Sequence, residues 1–246
     1  MSEKVLISPV ELSEARQGGK IVVIDTRDPA SHAADIPHTS PGDPVMNILH
    51  LDSSILGAQS VSRGLTRSIV DRQRALHPTA TVIHRDLAAT PPHLTGAHMA
   101  AWKGAAVTHP ALKADLATGD TLIEELIAAD ILAIGAPMYN FSPPTQLKAW
   151  IDRVCVAGRT FRYTANGPES LLPKGKQAFI ASSRGSLYGP GTQTQPLDPQ
   201  QIYLRHVLSF LGITDVTVIR AEGLALPDNR DTAIGTANQQ ITALAA

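Results

Sequence analysis

Apolar and polar positions alternate along this chain in blocks whose lengths separate strands from helices. The runs NILHL (residues 47–51), ATVIHRDL (80–87), ILAIGA (131–136), QAFIAS (177–182) and DVTVIR (215–220) are short and largely apolar, and they predict five strands. Between them the apolar residues recur every three or four positions. Residues 60–77 place Leu65, Ile69, Val70 and Leu76 along one side and arginines on the other, the pattern of an amphipathic helix. Further helices are predicted over 120–130, 143–156, 203–211 and 228–245. Pro143 and Pro144 fall near a first turn, where proline is tolerated. The Pro- and His-rich stretch 90–110 reads as a long surface excursion.

A strand that is apolar along its whole length, ILAIGA above all, is buried on both faces, as in a parallel sheet covered by helices. Five such strands with crossover helices predict an α/β fold. It is a doubly wound, five-stranded parallel sheet of the flavodoxin type, order 2-1-3-4-5, with helices on both faces. The texture changes near residue 45. Residues 1–45 hold one strand-like run, KIVVID (20–25), and then a Pro-, His-, Ser- and Asp-rich segment ending in SPGDP (40–44), which reads as a linker. One strand is too little for an independent core. Residues 1–45 are therefore expected to be an appendage, and 46–246 the main domain.

Composition narrows the function. A hydrophobic fraction of 43% suits a globular core, and a net charge of −1 gives no basic field to hold nucleic acid. No apolar run reaches the ~18 residues that a membrane span needs, and residues 1–19 lack the apolar centre of a signal peptide. A soluble cytoplasmic protein is the expectation. The single cysteine, Cys155, excludes a disulfide framework or a Cys-based zinc site within one chain. The histidines are scattered without metal-ligand spacing, so no metal is expected. Cys155 lies between Val154 and Val156 in a predicted helix and reads as a packed core thiol rather than a nucleophile.

In an open parallel sheet, ligands bind beyond the carboxyl ends of the strands, where the strand order reverses. Three loops leave those ends. The first carries Ser53, Ser54, Ser60 and Ser62 just before a helix, whose unpaired N–H groups and partial positive charge suit a phosphate. It is neither a Walker loop nor a GxGxxG fingerprint, and an ordinary N-cap serine would look similar. The second, Pro137 to Phe141, brings a thioether, two aromatics and an amide, which suit the face and edge of a flat ring. The third, Ser182 to Ser186, has a glycine that admits close backbone approach. Alone, it would pass for a turn.

Longer stretches go further. LHLDSSILGAQSVSRGL, GAPMYNFSPPTQLKAWIDRV, GRTFRYTANGPESLLPKGK, SSRGS and YLRHVLSFLGITDV with AEGLAL cover most of residues 46–246. Together they resemble the FMN-dependent NADH azoreductase and quinone reductase family. The resemblance implies that Ser54, Ser60, Val61 and Ser62 surround the phosphate and ribityl chain of FMN. It implies that Met138, Tyr139, Asn140 and Phe141 hold the isoalloxazine, and that Ser183, Arg184, Gly185 and Ser186 meet its other edge. The family has a glycine where this chain has Ser186, which restricts φ. The resemblance further implies a homodimer with flavin at the interface and Phe161 and Tyr163 nearby. NADH or NADPH would give hydride to the flavin, and a quinone or azo compound would then accept two electrons in a ping-pong cycle. No protein acid, base or nucleophile is implied.

The segment KIVVIDTRDPASHAADIP resembles the opening of a rhodanese domain, with Asp25 and Arg27 as a structural ion pair and His38 where that family has glycine. The loop with the persulfide-forming cysteine is missing, which argues against sulfur transfer. The rival readings are a flavodoxin-like electron carrier, which would serve protein partners and tends to be acidic and smaller, and a hydrolase. Hydrolysis wants a metal cluster or an activated nucleophile, and neither is legible.

Overall fold

The computed structural model describes residues 45–245. Five strands form the main sheet: β1 (Asn47–Asp52), β2 (Thr81–Asp86), β3 (Ile131–Pro137), β6 (Gln177–Ser183) and β7 (Asp215–Ala221). The hairpin strands β4 (Phe161–Thr164) and β5 (Gly167–Ser170) stand apart from it. The sheet order is β2-β1-β3-β6-β7 with every neighbouring pair parallel. Counting only sheet strands, that is the expected 2-1-3-4-5. Six helices accompany it: α1 (Val61–Leu76), α2 (Gly96–Trp102), α3 (Pro110–Ala128), α4 (Thr145–Val154), α5 (Pro199–Phe210) and α6 (Arg230–Thr242).

The two-residue period of a strand sorts side chains onto opposite faces. Leu49, Leu51, Leu132, Ile134 and Ile180 meet Leu122 and Leu126 of α3, Trp150 and Ile151 of α4, and Leu204 and Leu208 of α5. Ile48, Ile131, Ala133, Phe179 and Ile219 meet Leu65 and Ile69 of α1 and Ala237 and Ile241 of α6. All seven residues of β3 are buried, as its apolar run requires. β2 is an edge strand with every residue half-buried.

The structure departs from the sequence reading at four places. The stretch 90–110 contains α2, whose capping box pairs Thr95 with His98, a residue outside the usual Ser/Thr-x-x-Glu/Gln signal. Helix α3 begins at Pro110, well before 120. Thr118 and Gly119 weaken its pattern, yet a Cβ at Gly119 would lie 2.6 Å from the buried Arg153 guanidinium, so glycine is what admits that arginine. The β4–β5 hairpin is too short and too exposed to announce itself by periodicity. It is anchored by Phe161, buried against Phe210 with ring centroids 4.7 Å apart, and by Ser170, whose Oγ donates to Leu211 O at 2.6 Å, while Tyr163 is 76% exposed. Cys155 is the C-cap of α4 rather than an interior residue.

The rhodanese-like segment, its strand 20–25, the Asp25–Arg27 pair and His38 lie outside the described residues. Among the described residues, no helix is long and apolar enough to cross a membrane.

Candidate functional site

The three expected loops meet at the carboxyl end of the sheet. The first, between β1 and α1, is held from below and from the side. Ser53 Oγ donates to Gly135 O at 2.5 Å, fixing the loop to β3. Arg63 donates from Nε and Nη2 to Ser54 O at 3.1 and 2.7 Å while pairing with Asp86 at the end of β2. Ser60 caps α1, accepting the Arg63 N–H at 3.3 Å, and its Oγ lies 3.1 Å from that of Ser62. Val61 is the first helical residue. The leading N–H groups of a helix have no partner within it, and no acidic residue occupies the first turn of α1. That end is therefore electropositive and suited to an anion.

The second loop, leaving β3, is a four-residue turn. Tyr139 and Ser142 exchange backbone hydrogen bonds of 3.0 and 3.1 Å. The two residues between them have positive φ, 48° at Asn140 and 68° at Phe141, as a type I′ turn requires. Asparagine tolerates that region; phenylalanine there is strained, at a cost of ~1–3 kcal/mol. Phe141 is 49% exposed there. Met138 N–H donates to Ser183 O at 2.9 Å, so this loop is stitched to the third.

The third loop, following β6, turns the Arg184 side chain inward. The guanidinium is fully buried and bonds Asp198 at 2.5 Å, Glu222 at 3.2 Å and Ser182 Oγ at 2.9 Å. The Arg184 N–H donates to Ala221 O and its carbonyl accepts from Leu224. The Arg184 side chain thus shapes the loop from behind. Gly185 and Ser186 both accept backbone bonds, from Ala225 and Gly223. Neither has positive φ, so a serine at 186 meets no backbone strain.

Three residues that pattern reading passed over hold the loops together. Gln200 is buried at the start of α5; its Nε2 donates to Pro137 O at 2.8 Å and Ser142 O at 3.3 Å, and its Oε1 accepts from Ser182 at 3.2 Å. Glu222 receives Arg184 and the Tyr188 N–H. Tyr188 sets its ring edge-on to Phe141, centroids 6.4 Å apart. AEGLAL carried a signal for Glu222 as part of a recognisable stretch; Gln200 and Tyr188 sit among irregular polar residues and had none. A cavity of about 360 Å³ between α1 and α6 shares Ser60 and Val61 with the site but reaches neither of the other loops. A flat ring spanning all three would not sit there.

Comparison with known proteins places this geometry. The FMN-dependent NADH:quinone oxidoreductase of Azospirillum brasilense is 52% identical over 204 residues, covering 81% of this chain and 98% of the relative. That of Rhizobium meliloti is 51% identical over 198 residues, covering 80% and 95%. Among solved structures, an azoreductase from Bacillus anthracis superposes with a TM-score of 0.71 at 25% identity, covering 80% of this chain and 97% of that one. An FMN-dependent NADH-azoreductase of the same species, solved in complex with FMN, gives 0.73 at 22% identity, covering 81% and 96%, a likeness of fold. The family described as having a flavodoxin-like fold matches residues 46–245, and the chain belongs to that family.

Proposed function

We propose that this protein is an FMN-dependent NADH:quinone oxidoreductase that also cleaves aromatic azo compounds. The observation that carries the reading is its close identity to quinone oxidoreductases along nearly their whole length. The site agrees with it. An electropositive helix start beside four serines fits a phosphate, and the aromatic turn at 138–141 fits a flat heterocycle.

In this reading Ser54 and the main chain of Ser60, Val61 and Ser62 hold the FMN phosphate and ribityl chain. Met138, Tyr139, Asn140 and Phe141 hold the isoalloxazine, and Ser183, Gly185 and Ser186 line its other edge. Arg184 is a positioning residue behind them. Bound FMN supplies the two-electron chemistry, accepting hydride from NADH or NADPH and yielding electrons to the quinone or azo acceptor. The chain's task is to orient both partners in turn at one place and to exclude water. Each loop also exposes a large apolar side chain beside the site: Ile55 and Leu56, Phe141, and Leu187. Such a rim favours burial against a second copy, which supports a homodimer with flavin at the interface.

The test is to load the protein with FMN, remove free flavin, and add NADH anaerobically while following the flavin absorbance. Bleaching, followed by recovery on adding a benzoquinone, is expected. Retained flavin that neither NADH nor NADPH bleaches would instead indicate an electron carrier. Sedimentation at micromolar concentration is expected to give twice the chain mass.

A further inference from the structure

We infer that His50, Asp52 and His84 form a binding site for a divalent transition-metal ion of the zinc, cobalt, nickel or copper class. His50 and Asp52 are two apart on β1 and so share one sheet face. His84 is the register partner of His50 on the neighbouring parallel strand β2, which puts it on that face too. Parallel pairing thus unites ligands that lie far apart in the sequence, where spacing cannot show them. One ligand atom from each residue falls within 4.8 Å of the others.

The distances suit coordination. Ligand atoms ~2.0–2.2 Å from a tetrahedral zinc ion lie about 3.3 Å from one another. His84 Nε2 is 3.0 Å from Asp52 Oδ2, and His50 Nε2 is 3.5 Å from Asp52 Oδ1. Two imidazoles and one carboxylate form a donor set suited to such metals.

A second observation points the same way. His50 is 9% exposed, and its Nε2 has no hydrogen-bond partner among the described residues. The nearest acceptor to that buried nitrogen, Asp52 Oδ1, stands 3.5 Å away; a buried ring nitrogen so weakly satisfied is costly, and a metal ion would satisfy it. Thr66 Oγ1 donates to Asp52 Oδ1 at 2.8 Å, which orients the carboxylate as an outer-shell partner does. Arg63 approaches Asp52 Oδ2 to 3.7 Å but is engaged closely by Asp86 at 2.6 Å. The site lies directly behind Ser53 and Ser54.

The experiment uses full-length, tag-free protein, stripped with chelator and titrated with cobalt(II), whose visible bands report inner-sphere ligands. Saturation at one cobalt per chain, displacement by zinc, and at least ~10-fold weaker binding in His50→Asn and His84→Asn are expected. His84→Asn changes a half-buried edge residue, so it decides the matter if His50→Asn fails to fold. Absence of a saturable band, or cobalt binding unchanged in His84→Asn, would overturn the proposal.

Discussion

Tyr139 Oη lies 3.2 Å from Ser54 Oγ and, at the same distance, accepts the Ile55 N–H. One phenol therefore joins the loop between β1 and α1 to the turn that follows β3. Tyr139→Phe keeps the ring and removes that link. Stability should fall by ~1 kcal/mol, and FMN should dissociate several-fold faster. Urea unfolding and stopped-flow flavin release measure the two; unchanged release would show that the loops do not depend on the link.

Arg184 stands fully buried between two carboxylates. Arg184→Met strands Asp198 without its cation, leaves Glu222 only Arg220 at 3.9 Å, and should cost ~3–5 kcal/mol, the range for breaking a buried pair. Adding Asp198→Asn and Glu222→Gln to that variant should restore part of the loss, which denaturant titration of the series would reveal. A single variant as stable as wild type would contradict the inward placement of the guanidinium.

Ser186 occupies ordinary backbone space. Ser186→Gly should leave FMN affinity within about two-fold and lower stability by ~0.4–1 kcal/mol through greater freedom of the unfolded chain. Flavin fluorescence titration checks the first figure. A gain of tenfold would mean that the serine side chain obstructs the ring.

Burial alone would raise the Asp115 carboxyl, but Arg153 and His98 outweigh it and hold the group below its ordinary value. A folded pKa below the unfolded one adds stability that is fully present above about pH 4 and is lost as pH falls through the folded value. Asp115→Asn abolishes that contribution. The difference in urea midpoint between wild type and variant should hold steady above about pH 5 and shrink on further acidification. A difference that stays constant down to about pH 2.5 would refute the pairing.

Burial, with Asp152 nearby, pushes the Cys155 thiol up to about 11. A disulfide reagent at about pH 7.5 should label native protein ~100-fold more slowly than urea-unfolded protein, because so little thiolate is present. Fast labelling of the native state would give Cys155 the chemical role denied to it.

The sheet was legible because its strands are apolar in ways that only double-sided burial explains, and β3 is the clearest case. Helix α1 was legible for the same reason, since Leu65, Ile69 and Val70 mark one stripe. What escaped depended on contacts distant in sequence. Gly119 looks like a helix breaker until Arg153 is seen to need the space. His98 looks unlike a capping residue until its imidazole receives the Thr95 N–H. Among the candidate site residues, the serines and the MYNF turn were visible from their place at strand ends. Arg184 was visible in position but not in direction, because a chain of letters does not tell which way a side chain turns.

Gln200 touches Pro137, Ser142 and Ser182 with a single amide. Two loops that share one fastener cannot loosen separately, so the ring-side turn and the strand end beside it form one cooperative unit. Hydrogen exchange at their amides should then rise and fall together. A ligand that reaches only one of them would still be felt at the other.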